Sequence, residues 1–291
     1  IGLVFFGVAE PISHYIEAPP GTVSNTPEAA GAAMRYTFFH WGIHPWAVYS
    51  AVALAIAFFQ YRRGGVALVS TVTDALPWPI VKHMGGFFNG LAVVATAFGV
   101  AASLGVGALQ INNGLNTVFG LEVSEASQIG IIVLATVMFL GSAVTGVARG
   151  VKILSNANMT VAALLALAVF ILGPTVAIID TLTSTLGNYV TEFVRMSLRA
   201  TPFRDSTWVG SWTIFYWAWW ISWSPFVGLF IARVSRGRTI REFILGTMLA
   251  PTLAAFIWFS IFGGTALHMQ IWQQIPIADA VRADTATALF A

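Results

Sequence analysis

The chain has 291 residues, of which 57% are hydrophobic and only 9% charged, against about 25% charged in soluble domains, so the composition excludes a water-soluble globule and points to a membrane. A net charge of +2 is too small to argue for a nucleic-acid partner. With no cysteine, a disulfide framework and a thiolate metal site are both excluded.

A bilayer crossing takes about 20 apolar residues. Six segments qualify: 43–60, 87–111, 129–148, 159–179, 208–231 and 243–265. Residues 1–9 read as the outer half of a seventh. Basic residues set the orientation. Arg62, Arg63, Lys82, Arg149, Lys152, Arg233, Arg236, Arg238 and Arg241 fall in one set of links, which is therefore cytoplasmic. Arg35, Arg195, Arg199, Arg204 and Arg282 fall in the opposite set. So do Glu17, Glu28, Glu122, Glu125, Asp180, Glu192, Asp205, Asp279 and Asp284. The chain opens inside an apolar run with no signal peptide and closes on A-T-A-L-F-A, and is read as a piece of a longer one.

In residues 1–16, Gly2 and Gly7 lie in an apolar stretch that Glu10-Pro11 is expected to end. Glycine within a span allows close helix packing or marks a broken helix whose bare backbone lines a site. Residues 17–37 read as a Pro/Gly/Thr-rich outer loop. The next helix opens F-H-W-G-I-H-P-W-A-V-Y, and Trp41, Trp46 and Tyr49 share one face. His40 and His44 stand at i, i+4, a metal-ligand spacing without the third ligand of an H-E-x-x-H motif. Histidines at a helix entry are the plainer account.

Residues 61–86 form a cytoplasmic link. In the span after it, Thr96 and Ser103 lie two turns apart on one side. Their hydroxyls either bond back to the helix's own carbonyls or offer oxygen to a hard cation. Segment 129–148 is plain and apolar. Ser155, Asn156 and Asn158 open the next span near the cytoplasmic boundary. Capping accounts for at least one of them, and Asn158 is placed to bond across helices. Residues 188–199 read as an amphipathic helix on the outer surface, with Tyr189, Phe193 and Met196 on one side and Glu192, Arg195 and Arg199 on another.

The stretch Trp212–Gly228 holds five of the eleven tryptophans and no charged residue. On a regular helix Trp212, Phe215, Trp219 and Trp223 form one stripe, with Trp220 beside it. A buried helix ordinarily uses aliphatic residues, and aromatic belts lie at span ends. Aromatic faces attract cations, quaternary ammonium groups above all. Pro225, near the middle, is expected to loosen the helix and free backbone oxygens.

The segment F-Y-W-A-W-W-I-S-W-S-P-F-V-G-L-F-I-A-R-V-S-R-G-R-T-I-R-E-F resembles the betaine/choline/carnitine transporter (BCCT) family, and within it the sodium-coupled glycine betaine carriers. F-H-W-G-I-H-P-W-A-V-Y, S-L-G-V-G-A-L-Q-I-N-N-G-L-N and K-I-L-S-N-A-N-M carry the same resemblance. It implies an all-α integral membrane protein, a fragment of a twelve-helix chain with the inverted-repeat (LeuT-like) core of a secondary transporter. Residues 1–187 then hold the first five-helix repeat, its first helix truncated. Residues 188–207 hold the surface helix and link, and 208–291 the start of the second repeat.

By resemblance, Trp41, Trp46, Tyr49 and Trp220 form the box for a trimethylammonium group. Trp219, Trp223 and Phe215 line the pathway beside it. Gly2 is the last glycine of an unwound stretch, and a glycine there favours a zwitterion such as glycine betaine. Thr96 and Phe226 match a sodium site whose second threonine is Val100 here.

The function expected from this is sodium-driven import of a zwitterionic or quaternary-ammonium compatible solute by a multi-pass homotrimer of the cytoplasmic membrane. It needs no cofactor beyond the coupling ion and no enzyme chemistry. A proton-coupled or exchange carrier for choline, carnitine, ectoine or proline is the alternative within transport. A membrane redox protein with metal or haem at His40 and His44 is the alternative from another class.

Overall fold

The computed structural model describes residues 2–73, 76–144, 147–201 and 207–290, and the regular elements in these are helices. Ile1, Arg204, Asp205 and Ala291 lie outside the described residues. In chain order the helices are α1 (Gly2–Ile16), α2 (Pro27–Trp41), α3 (Ile43–Arg62), α4 (Val69–Thr73), α5 (Pro79–His83) and α6 (Gly85–Phe119). Next come α7 (Glu125–Val144), α8 (Val147–Leu172), α9 (Thr175–Ser197), α10 (Phe215–Val234), α11 (Ile240–Trp272) and α12 (Ile277–Ala283). A π turn, Gly210–Ile214, leads into α10, and a 3-10 turn, Thr285–Thr287, comes after α12.

Among the described residues, five stretches are long and apolar enough to cross a membrane: Pro27–Arg62, Gly85–Phe119, Lys152–Leu172, Gly210–Val234 and Ile240–Trp272. Glu125–Gly141 is a shorter apolar helix. Exposed Val93, Phe98, Leu134, Phe139, Leu164 and Ile171 leave broad apolar surface on α6, α7 and α8. Such surface is stable only against hydrocarbon or other apolar partners.

Several boundaries differ from those read in the sequence. The loop expected at 17–37 ends at Thr26. Its hydroxyl accepts from the Ala29 amide at 3.2 Å, Pro27 takes the first helical position, and an alanine-rich run carries α2 onward. The link 61–86 contains α4 and α5. The span expected at 159–179 stops at Leu172, where Gly173-Pro174 breaks the helix, and α9 begins at Thr175. The outer loop expected after 265 is largely helical, through the end of α11 and α12.

Ser155, Asn156 and Asn158 lie exposed inside α8, so they cap nothing. Helix α1 runs on through Glu10 and Pro11 to Ile16. α11 starts on a reciprocal capping box: Glu242 Oε2 accepts from the Thr239 amide at 2.9 Å, and Thr239 Oγ1 accepts from the Glu242 amide at 3.2 Å.

The chain forms two compact units. The first comprises the described residues of Ile1–Thr37, Ser103–Thr191 and Ile257–Ala291. In it α1 lies tightly on α11. Trp258 Nε1 donates to the Leu3 carbonyl at 2.7 Å. A Cβ on Gly263 would stand 2.6 Å from Pro11 Cγ, so only glycine permits this approach. Gly7 also faces Trp258, which makes it a packing glycine. Glu10 and His14 are fully buried and paired at 3.2 Å. Asn112 and Asn113 tie α6 down: Asn112 Nδ2 donates to the Glu122 carbonyl and Asn113 Nδ2 to Asp284 Oδ2, both at 3.2 Å.

The second unit comprises the described residues of Phe38–Ala102 and Glu192–Phe256. Its centre is the pairing of α3 with α10. Gly228 lies against Val52 of α3, closer than a Cβ would allow. Tyr49, Ala53, Ile231 and Phe243 form a buried cluster, with Trp46, Trp220 and Trp223 packed on it. Phe38 stacks flat on Phe256, with ring centroids 4.0 Å apart.

Candidate functional site: an aromatic box on α3 and α10

The site is built on a break between two helices. α2 ends at Trp41 and α3 begins at Ile43, with Gly42 between them. A Cβ on Gly42 would lie 2.4 Å from the Phe38 carbonyl and 3.0 Å from the Phe256 ring, so glycine alone fits. Pro45 stands in the first turn of α3, where its missing N–H removes no helical bond. Across the break, Trp41 at the end of α2 and Tyr49 in α3 meet the same ring, Trp220, and Trp46 meets Tyr49.

Four rings form a chain of corners. Trp41 meets Trp220 with centroids 5.0 Å apart and planes at 78°. Trp220 meets Tyr49 at 6.1 Å and 84°. Tyr49 meets Trp46 at 5.6 Å and 72°. Consecutive walls at near right angles are the geometry in which several π faces can address one cation. Trp219 lies parallel to Trp220, at 5.3 Å and 5°, and Phe215 leans on Trp219 at 6.0 Å.

Trp223 packs on the same buried cluster as Trp46 and Trp220 and meets Phe226 at 5.9 Å. Its indole also covers Gly99 of α6, where a Cβ would stand 2.7 Å from Nε1. The stripe expected from Trp212 does not run as a regular helix. The π turn inserts its extra residue before Phe215, and Trp212 instead lies parallel to Tyr216 at 6.4 Å.

Tyr216 joins these rings without a spacing signal of its own. It is fully buried and parallel to both Trp219 and Trp220, each at 6.0 Å. It stood within the aromatic run, but its inward direction depends on the π turn, which residue spacing does not show.

His40 and His44 each put Nε2 on a hydroxyl, Thr213 at 3.0 Å and Ser197 at 2.9 Å. The i, i+4 pair therefore divides between two segments. Thr96 donates to the carbonyl of Ala92 in its own helix at 2.8 Å. Phe226 is exposed on α10, and among the described residues no hydrogen bond or ring contact joins it to Thr96. Gly2 is the first helical residue of α1 in the first unit. The unwound backbone expected there does not include it.

The model of the BCCT, betaine/carnitine/choline family transporter, matches residues 1–291. The chain belongs to this family. A glycine betaine transporter of Bacillus subtilis, OpuD, is 52% identical over 93% of the chain and 53% of its own length. An ectoine/hydroxyectoine transporter of Virgibacillus pantothenticus is 46% identical over 99% of the chain and 58% of its own. A glycine betaine transporter of Acinetobacter baylyi is 42% identical over the whole chain and 44% of its own. The chain thus spans about half the length of these BCCT relatives. Family membership and the apolar helices make it a multi-pass membrane protein.

Proposed function

We propose that the protein of which this chain is part imports glycine betaine or a similar compatible solute by secondary active transport. The observation that carries this reading is the ring set Trp41, Trp220, Tyr49 and Trp46, meeting at three successive corners on two stretches, 38–56 and 212–228, whose own sequences hold no acidic residue. A trimethylammonium group is attracted by such faces. A zwitterion brings its own counter-charge, so the box needs no carboxylate. The names of the B. subtilis and V. pantothenticus relatives agree with this substrate class. Four desolvated rings at about 1–2 kcal/mol each give roughly 4–8 kcal/mol. That corresponds to about millimolar to micromolar binding, a range from which a carrier can release its cargo.

In this reading sodium is the co-substrate, access alternates across the cytoplasmic membrane, and three copies assemble. Exposed Val176, Ile179, Leu186 and Val190 on α9 supply an apolar face for that assembly. A second coupling mode has an observation in its favour: Val100, one turn from Thr96, offers no oxygen ligand. Coupling then passes to protons or to exchange.

The test is uptake of labelled glycine betaine by the full-length protein in sealed vesicles. An inward sodium gradient is compared with potassium plus a proton gradient. Sodium-dependent accumulation supports the first reading, and accumulation without sodium supports the second. Uptake of ectoine but not betaine keeps the compatible-solute reading and overturns glycine betaine as the substrate, and uptake of choline alone overturns the preference for a zwitterion.

A further inference from the structure

Trp220 is held in the box by a residue outside it. Its indole Nε1 donates to the main-chain carbonyl of His40 at 3.0 Å. The end of a helix leaves carbonyls without intrahelical partners, and α2 ends one residue later. The same His40, fully buried, turns its imidazole to Thr213, with Nε2 and Oγ1 3.0 Å apart. It also lies parallel to Tyr216 at 4.7 Å and 22°. One residue thus meets the ring, the π turn and the tyrosine beside the ring.

The π turn sets the direction of the side chains on α10. One extra residue in a turn rotates everything beyond it by about 100° relative to an uninterrupted α-helix. The direction in which Trp220 leaves α10 therefore depends on that turn persisting. π turns are rare and are found frequently at functional sites. A threonine within a helix ordinarily bonds back to its own carbonyls. Thr213 instead engages a buried side chain 173 residues away in sequence.

We propose that His40 is the positioning residue of the box: its carbonyl fixes the indole of Trp220, and its imidazole, through Thr213, fixes the π turn that aims that indole. The inference rests on the reading of the four rings as a quaternary-ammonium site. It predicts that affinity depends on a hydrogen bond no substrate atom touches.

The experiment uses the full-length protein in proteoliposomes, with glycine betaine as the probe. Binding is read from tryptophan fluorescence, and uptake gives KM and Vmax. Thr213→Val removes the hydrogen bond at constant volume and Thr213→Ser restores it. Thr213→Val is expected to raise Kd and KM about tenfold with Vmax within twofold of wild type, and Thr213→Ser to bind within twofold of wild type. If Thr213→Val does not reach the membrane, Thr213→Cys, a weaker hydrogen-bonding group, is expected to give an intermediate Kd.

Wild-type affinity in Thr213→Val or Thr213→Cys overturns the positioning role. So does equal loss of binding in Thr213→Val and Thr213→Ser. Trp220→Leu is measured alongside. Its loss of binding keeps the box while the positioning role is judged separately. Its wild-type affinity overturns the box itself.

Discussion

Ser224 Oγ donates to the carbonyl of Ile221 at 2.7 Å, and Ile221 is four residues before Pro225. Proline has no amide hydrogen to give that carbonyl. The hydroxyl beside the proline therefore replaces the bond the proline removes, and α10 continues from Phe215 to Val234 without interruption. A free carbonyl inside a membrane helix is costly, which is why a buried serine at this position is a structural asset.

Ser224→Ala should leave the Ile221 carbonyl unsatisfied at a cost of about 1–3 kcal/mol. Thermal unfolding of the purified full-length protein in detergent is expected to begin at a lower temperature for Ser224→Ala, and Ser224→Thr to behave as wild type. An unchanged midpoint in Ser224→Ala would show that the carbonyl finds another donor.

Gly42→Ala tests the break from which the box is built. The added methyl lies 2.4 Å from the Phe38 carbonyl, a separation that forces α2 and α3 to reorient. Since Trp41 lies on one side of Gly42 and Trp46 with Tyr49 on the other, the corners of the box move with the backbone. Betaine binding by tryptophan fluorescence should weaken at least tenfold, even in the fraction of protein that reaches the membrane. Wild-type binding would mean that the break is a packing feature without influence on the rings.

The aromatic residues were legible in the sequence because charge-free runs of tryptophan in mid-span have few uses. Trp41, Trp46, Tyr49 and Trp220, named together from the resemblance, meet ring to ring. Their supports were not legible. The π turn, the inward ring of Tyr216 and the Trp220–His40 bond arise from one-residue irregularities that a fixed 100° periodicity passes over. Glu10 shows the same limit in the other direction. An acid before a proline reads as a helix end, yet His14 stands four residues on, within reach of the carboxylate on the next turn. Longer-range facts, such as the bond from Trp258 to the Leu3 carbonyl, have no local signal at all.

Glu10→Ala is expected to be among the most destabilising single changes in the chain. Both members of the Glu10–His14 pair have no solvent exposure, and removing one partner of a buried pair typically costs about 3–5 kcal/mol. The measurement is the yield of monodisperse full-length protein after detergent extraction, with wild type and Glu10→Gln beside it. Glu10→Gln retains an oxygen for the imidazole and should recover part of the yield. Equal, high yields for all three would show that the pair adds nothing to folding and is kept for another purpose.

Val100 stands where a second oxygen ligand would be needed beside Thr96. Thr96 spends its hydroxyl hydrogen on the Ala92 carbonyl, which leaves its oxygen lone pairs available to a cation. Residue 100 lies one turn further on the same face of α6. Its neighbour Gly99 receives the indole of Trp223, so this turn of α6 is in contact with α10. A valine contributes no ligand, and sodium takes oxygen. Val100→Thr supplies a second oxygen, worth about 1.5–3 kcal/mol by analogy with hydrogen bonds to charged groups. The half-saturating sodium concentration for betaine uptake should therefore fall about tenfold or more in Val100→Thr, with the affinity for betaine at saturating sodium unchanged. If the parent protein takes up betaine without sodium, the same substitution should introduce a sodium dependence that lithium and potassium do not reproduce. A variant whose uptake ignores sodium as the parent does would place the coupling ion away from this turn of α6.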